Sequence, residues 1–314
     1  MQSKKFHWST YEAPRWHSEP LEHHGTEEKE DSTPRKFFNI RHMKQGATGA
    51  VKTWPAAEVL LDYLIHRGGM RDVCDKMADS SDNSVLDLTR PPPPLDNLES
   101  CRYYSPEDLK NYNIVELGGG TGYLSVGLAL ALTSIGSDGC SLQPRVRLVC
   151  TDNDRTTIKN MRHNVSSQQD MNKIVRVEPL GWGADIGGEK FTKALRLQFQ
   201  EKKTNKNSQF PNGEQEEEDP IHLLSHIVAS DVHYGVTTLE PLSAIISAAK
   251  LRNPRVAVTL LLKERSPNAV ADLKRQIEQK VRWVQPCSND LQGFTVRVRD
   301  VIHEDLPNMK MVEC

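Results

Sequence analysis

Cysteine is scarce in this chain: six in 314 residues, none of them in a Cys-x-x-C pair. The scatter suits neither a zinc site nor a disulfide framework, so reduced thiols of an intracellular protein are the expectation. An excess of one charge is also lacking. Forty Lys and Arg stand against 42 Asp and Glu, a formal net charge of -2, so no global basic field recruits nucleic acid. No apolar run is long enough to span a bilayer. The opening MQSKKFHWSTYEAPRWHSEP has no signal-peptide core. His222 and His226 have i,i+4 spacing but lack the Glu of the zinc-protease motif, so they read as structural and no metal is expected. These absences predict a cytoplasmic protein, with the nucleus as a second compartment. It is expected to be a monomer with no membrane partner and no direct nucleic-acid partner.

What is present suits one large globular domain with decorations: 37% of the residues are hydrophobic and 26% charged. Residues 1–35 are polar and without sustained periodicity, and read as a flexible tail in which Trp8, Tyr11 and Trp16 are available to dock. The domain is expected over 36–301, with insertions at about 70–108 and 187–220 and a C-terminal tail at 302–314. Lys36–His42 reads as a short strand, and Pro55 as the first residue of a helix continuing to His66.

From Tyr112 strand and helix patterns alternate. The strand candidates are Asn113–Leu117, Arg145–Thr151, Ile174–Glu178, His226–Ser230 and Arg255–Leu262. Strands separated by helices predict βαβ units and a parallel sheet. Val281–Gln285 and Phe294–Val298 read as an antiparallel hairpin closing it.

The first of these strands carries the densest information, NIVELGGGTGYLSVGLAL. A strand, a glycine turn and a helix together form a site for a nucleotide-containing cofactor. Tyr123 occupies the place of the third glycine of a dinucleotide fingerprint, and no Lys-Ser/Thr follows to make a P-loop. Glu116 at the strand end suits a cofactor that bears an ammonium group and no phosphate, as S-adenosylmethionine does.

Further chemistry follows the later strands. Asp152 ends the second and reads as an acceptor for ribose hydroxyls, with Asp154 as a competitor and helix capping as the bland alternative. Trp182, in Gly-Trp-Gly after the third strand, is read as a platform for an adenine ring or as core. Asp231 and Tyr234 follow the fourth strand and face the crevice if the strand order reverses there, with His233 ranked below them.

Three motifs then resemble the seven-strand, Rossmann-like methyltransferases, and more narrowly the family-16 protein-lysine methyltransferases: GAVKTWPAAEVLLDYL from Gly49, VELGGGTGYLSVGLAL from Val115, and Asp231-Val232-His233-Tyr234. Thr151-Asp152, the Gly-Trp-Gly turn and Glu264-Arg265 are similar as well. The resemblance covers about Phe37 to Val301 outside the insertions. It implies an α/β fold with helices on both faces of the sheet. It implies S-adenosylmethionine as cofactor, held by Trp54, Glu116, Gly118, Gly120, Asp152, Trp182 and Ser230. Asp231 and Tyr234 would be catalytic, and the partner would be a protein substrate methylated on lysine. The family's glycine loop is commonly Gly-Ala-Gly; here its centre is Gly119. Asn253-Pro254-Arg255-Val256 is similar to relatives that modify arginine. Arginine or histidine acceptors, a small-molecule acceptor and a non-catalytic binding relative remain as alternatives.

Overall fold

The computed structural model describes residues 6–13, 36–44, 52–66, 86–87, 111–134, 145–182, 189–199, 219–232, 236–284, 294–304 and 306–314. In chain order its elements are β1 (Phe6–Glu12), β2 (Phe37–Met43), α1 (Pro55–His66), β3 (Leu86–Asp87), β4 (Asn111–Glu116), α2 (Tyr123–Ser134), β5 (Arg145–Asp152), α3 (Arg155–Ser166), β6 (Val175–Pro179), α4 (Glu189–Phe199), β7 (His226–Ser230), α5 (Val236–Arg252), β8 (Ala257–Lys263), α6 (Ala269–Val284), β9 (Arg297–Ile302) and β10 (Met309–Glu313).

The central strands carry apolar residues on both faces because both faces are covered, even though β4 also holds Asn113 and Glu116 and β5 begins with Arg145 and Arg147. In β4, Tyr112 and Ile114 point into one core and Val115 into the other. In β8, Leu261 joins the first core, while Val258, Leu260 and Leu262 join the second. Residues of α1, α2 and α3 fill the first core, and those of α4, α5 and α6 the second. Helices therefore cover both faces of one sheet, ordered β3-β9-β10-β8-β7-β4-β5-β6. Leaving aside the two-residue β3, this is the seven-strand Rossmann-like arrangement. β4 pairs in parallel with β5 on one side and β7 on the other. The strand order reverses there, and a crevice opens beyond the carboxyl ends of these strands.

The antiparallel C-terminal hairpin is present but displaced from its expected position. Val281 belongs to α6, as the last of Val270, Leu273, Ile277 and Val281, buried residues at helical spacing. The hairpin is β9 and β10, and β10 also pairs antiparallel with β8. Residues 302–314 are thus not a tail: Met309, Met311 and Val312 are buried in the sheet. Glu313 is buried too, and accepts bonds from Tyr63 at 2.5 Å and Arg299 at 2.6 Å.

The N-terminal segment also departs from expectation. β1 pairs antiparallel with β2 from Phe6↔Met43 to Glu12↔Phe37. Tyr11 packs on Tyr123 with ring centroids 4.6 Å apart, edge to face, and on Phe38 at 5.7 Å. On α3, Asn164 accepts from the Arg41 backbone N–H and donates to both Arg41 O and Thr121 O, which ties the hairpin to the glycine turn. Within the expected insertions, Leu86–Asp87 pairs with β9, and Phe191, Leu195 and Phe199 of α4 are core residues. The Pro91–Pro94 segment lies outside the described residues, as do residues 14–35.

Among the described residues no helix is long and apolar enough to cross a membrane. None of their His, Cys, Asp and Glu side chains form a metal-holding cluster.

Candidate active site

A pocket of about 300 Å³ opens at the switch point. It is lined by the turn after β4, by Asp152 and Asp154 at the end of β5, by Trp182 after β6, by Ser230 and Val232 at the end of β7, and by Lys52 to Trp54 ahead of α1.

The turn from Gly118 to Gly122 is fixed by its backbone. Leu117 N–H donates to Val228 O, Gly119 N–H to Thr151 O, and Gly120 N–H to Asp152 Oδ2 at 3.2 Å. Gly118 has φ +67°, a left-handed conformation that side chains resist, and a Cβ there would lie 2.6 Å from Val232 Cγ1. Gly119 is constrained by close approach: its Cβ would meet Cys150 Sγ at 2.3 Å. The alanine common at this place in the resembling family would force Cys150 to shift, so glycine suits the cysteine packed against this turn.

Glu116 requires a correction. It is 1% exposed and does not line the pocket. Its Oε2 accepts from Ser125 N–H and Oγ–H at the start of α2, and from Cys150 S–H at 3.0 Å. The carboxyl therefore clamps strand to helix behind the glycine turn and is not placed to meet a cofactor's ammonium. Burial, opposed by its hydrogen bonds, pushes its pKa up to about 7.

Asp152 and Asp154 divide the two roles weighed for them. Asp154 is the N-cap of α3, with Oδ1 accepting from Thr157 N–H at 2.7 Å. Asp152 lines the pocket, with Oδ2 on Gly120 N–H and Oδ1 on Asp154 N–H at 3.0 Å. The carboxylate also accepts from Asn153 N–H and still faces the pocket, and burial, opposed by these backbone bonds, raises the carboxyl above its ordinary pKa.

Trp54 is half-buried, and its Nε1 is shielded from solvent with no acceptor among the described residues. Lys52 Nζ lies 4.2 Å over its ring. A free N–H donor and a cation at one wall suit an anionic group such as an amino-acid carboxylate, while Asp152 suits a ribose and Trp182 a flat ring. These residues fit S-adenosylmethionine. Thr53 Oγ1 meets Thr121 Oγ1 at 3.1 Å and anchors the segment before α1 to the glycine turn.

Asp231 directly follows β7 with φ +48°, strained for a residue with a Cβ, and is 4% exposed. Its N–H donates to Leu261 O. Oδ2 accepts from Arg265 Nη2 at 2.8 Å, and Oδ1 is buried with no partner among the described residues. Asp231 does not itself line the pocket, but its neighbours Ser230 and Val232 do. Tyr234 and His233 lie outside the described residues.

Of the residues expected to hold the cofactor, Trp54, Gly118, Gly120, Asp152, Trp182 and Ser230 are brought together on the pocket and Glu116 is not. Lys52, Thr53 and Arg265 were not named as site residues, although Lys52 and Thr53 lie in the motif from Gly49 and Arg265 in the Glu264-Arg265 pair that carry the resemblance.

A family model described as lysine methyltransferase, family 16, matches residues 35–197. No curated protein matches by sequence. Among solved structures, the N-terminal domain of human METTL16 in complex with SAH is 12% identical, with 84% of this chain and 70% of that one covered and a TM-score of 0.40. A human methyltransferase 10 domain containing protein is 10% identical, with 84% and 83% covered and a TM-score of 0.40. The hMettl16 catalytic domain in complex with MAT2A 3'UTR hairpin 6 is 12% identical, with 74% and 72% covered and a TM-score of 0.36. Likenesses this shallow carry nothing about the acceptor.

Proposed function

The chain belongs to the family-16 lysine methyltransferases, and on that premise we propose that it is a protein N-methyltransferase acting on a lysine side chain. It is an S-adenosylmethionine-dependent enzyme. When bound, the cofactor supplies a methyl group on a sulfonium, ready for in-line displacement by a nitrogen lone pair.

The chain's own part is alignment and exclusion of water. The glycine turn and Asp152 would hold the nucleoside end, and Trp182 would offer a face to its flat ring. Lys52 and the Trp54 N–H would meet the carboxylate end. The observation that supports a nitrogen acceptor is the buried, unpartnered Oδ1 of Asp231 beside the pocket. That oxygen can accept an N–H and aim the lone pair along the displacement axis. A lysine acceptor has a reference pKa of about 10.4 and must arrive without its extra proton, which desolvation favours. Tyr234 is assigned to the same end by its Asp-x-x-Tyr spacing. The partner is a protein, met by a monomer in the cytoplasm and nucleus.

The test is incubation with labelled cofactor and cell lysate, with mass spectrometry of every labelled species. Label on protein lysine is the expected result. Label on arginine, histidine, a small molecule or nucleic acid would replace the acceptor but keep the methyltransferase. A chain that binds NAD at micromolar affinity and not S-adenosylmethionine would remove the whole reading.

A further inference from the structure

Arg265 follows the end of β8, on the side of β7 away from the glycine turn. Its backbone is well anchored, since Glu264 N–H donates to Asn308 O at 2.9 Å at the start of β10. From there the guanidinium reaches across to the buried Asp231, bonding one carboxylate oxygen at 2.8 Å. The other oxygen is left buried without a partner among the described residues. Asp231 also bears a left-handed backbone conformation, fixed by its N–H on Leu261 O in the neighbouring strand. An unsatisfied oxygen and a strained backbone at one residue are both costly, and such costs persist where a site is built for a ligand.

We infer that Arg265 is the positioning residue of the acceptor end. It occupies Oδ2 and locks the carboxylate rotamer, so that only Oδ1 is offered to the acceptor nitrogen. It also balances the carboxylate's charge, so the pair does not attract an ammonium over the neutral amine that can react. Fixing one oxygen and freeing the other converts a symmetric carboxylate into a directional acceptor. Arg265 itself touches neither cofactor nor acceptor. This inference rests on the N-methyltransferase reading.

The experiment compares wild type, Arg265→Gln, Arg265→Lys, Asp231→Ala and the Asp231→Ala/Arg265→Gln double variant. S-adenosylmethionine affinity is measured by calorimetry, and methyl transfer is measured at saturating cofactor to the acceptor that the wild type labels. Loss of one charge-assisted hydrogen bond predicts a fall in kcat of roughly 30-fold for Arg265→Gln. Cofactor affinity should hold within about twofold, and Arg265→Lys should recover part of the turnover, since an ammonium restores one donor. In the Asp231→Ala background the Arg265 change should add less than about threefold, because the group it positions is already gone. Retained turnover in Arg265→Gln overturns the inference alone. So does a parallel loss of cofactor affinity, or an effect that multiplies fully with that of Asp231→Ala. A wild type that binds cofactor and labels nothing overturns the functional reading and the inference with it. Label on another nitrogen acceptor overturns the lysine assignment only, and the same ratios still decide the role of Arg265.

Discussion

Asp152 at the end of β5 and Asp231 just after β7 belong to strands on opposite sides of β4, yet the two carboxylates are held by different means. Asp152 has a backbone N–H on each oxygen, from Gly120 and Asp154. Asp231 has a side-chain donor on one oxygen and no described partner on the other, on a backbone with φ +48°. The cofactor end is assembled from main chain, which folding fixes regardless of what binds. The proposed acceptor end rests on a reaching arginine and has one buried carboxylate oxygen with no partner among the described residues. Pre-organisation by backbone tolerates much side-chain variation, whereas pre-organisation by one ion pair makes two residues indispensable.

The sharpest way to break the cofactor end is Gly118→Val. The new side chain would need φ +67°, and its Cβ would lie 2.6 Å from Val232 Cγ1, against a turn bonded to both β5 and β7. No cofactor binding should be measurable by calorimetry, and melting temperature should fall. Binding that survives would mean that the turn can rearrange, and the contrast in rigidity would be lost.

Asp231→Ala attacks the opposite end. Removing a group that orients the acceptor costs about 2.7–4 kcal/mol, or roughly 10²–10³ in kcat. Cofactor affinity should hardly change, because Asp231 is not on the pocket wall. Turnover and affinity falling together would show that the two ends are one unit.

How much of this was legible in the sequence follows the same division. The parallel strands could be read from their short apolar runs, such as Ile114-Val115 and Leu148-Val149, alternating with helical patterns, and the glycine turn could be read because its φ values need glycine. The sequence favours Asp152 over Asp154 for the ribose and leaves capping to Asp154, and the cap on Thr157 N–H is seen only in the structure. Glu116 was misread because a strand-end acid looks the same whether it meets a ligand or a helix N-terminus; its bonds to Ser125 and Cys150 depend on packing. Val281 was misread because a short apolar run has no period of its own, and the stripe from Val270 decides it. β1 and β10 were taken for tails. Strand β1 is held by long-range contacts to Tyr123 and Asn164 through β2, and β10 by β8 and β9. Contacts at such sequence separation leave no local pattern.

Glu116 tests whether the clamp behind the cofactor end is structural. Burial puts its carboxyl near pH 7 in the folded chain, against an ordinary value of 4.5. Between these values the unfolded chain releases the proton that the folded chain keeps. The contribution to stability is therefore full below about pH 4.5 and lost as pH rises through 7, on the order of 3 kcal/mol. His42, lowered to about 4 by burial and by His7, works in the opposite direction between pH 4 and 6.5. The informative quantity is thus the difference between wild type and Glu116→Gln in urea titrations at pH 5 and pH 8. That difference should shift with pH in favour of Glu116→Gln at pH 8. A difference independent of pH would mean that the carboxyl is ionised throughout.

The smallest expected effect separates two neighbouring acids. Asp152→Ala removes an acceptor for ribose hydroxyls and releases the Gly120 N–H, so cofactor affinity should fall by about 2 kcal/mol, roughly 30-fold. Asp154→Ala removes the cap on Thr157 N–H instead, costing about 1 kcal/mol of stability. Both residues line the pocket, so proximity to the ligand alone would predict similar losses of affinity. Their hydrogen bonds predict a crossed pattern. Calorimetry with S-adenosylmethionine should register the first variant and thermal melting chiefly the second. If Asp154→Ala loses the affinity while Asp152→Ala loses only stability, the ribose assignment passes to Asp154. Asp152 would then be a brace for the turn, and the cofactor end would lose its one side chain shared between backbone and ligand.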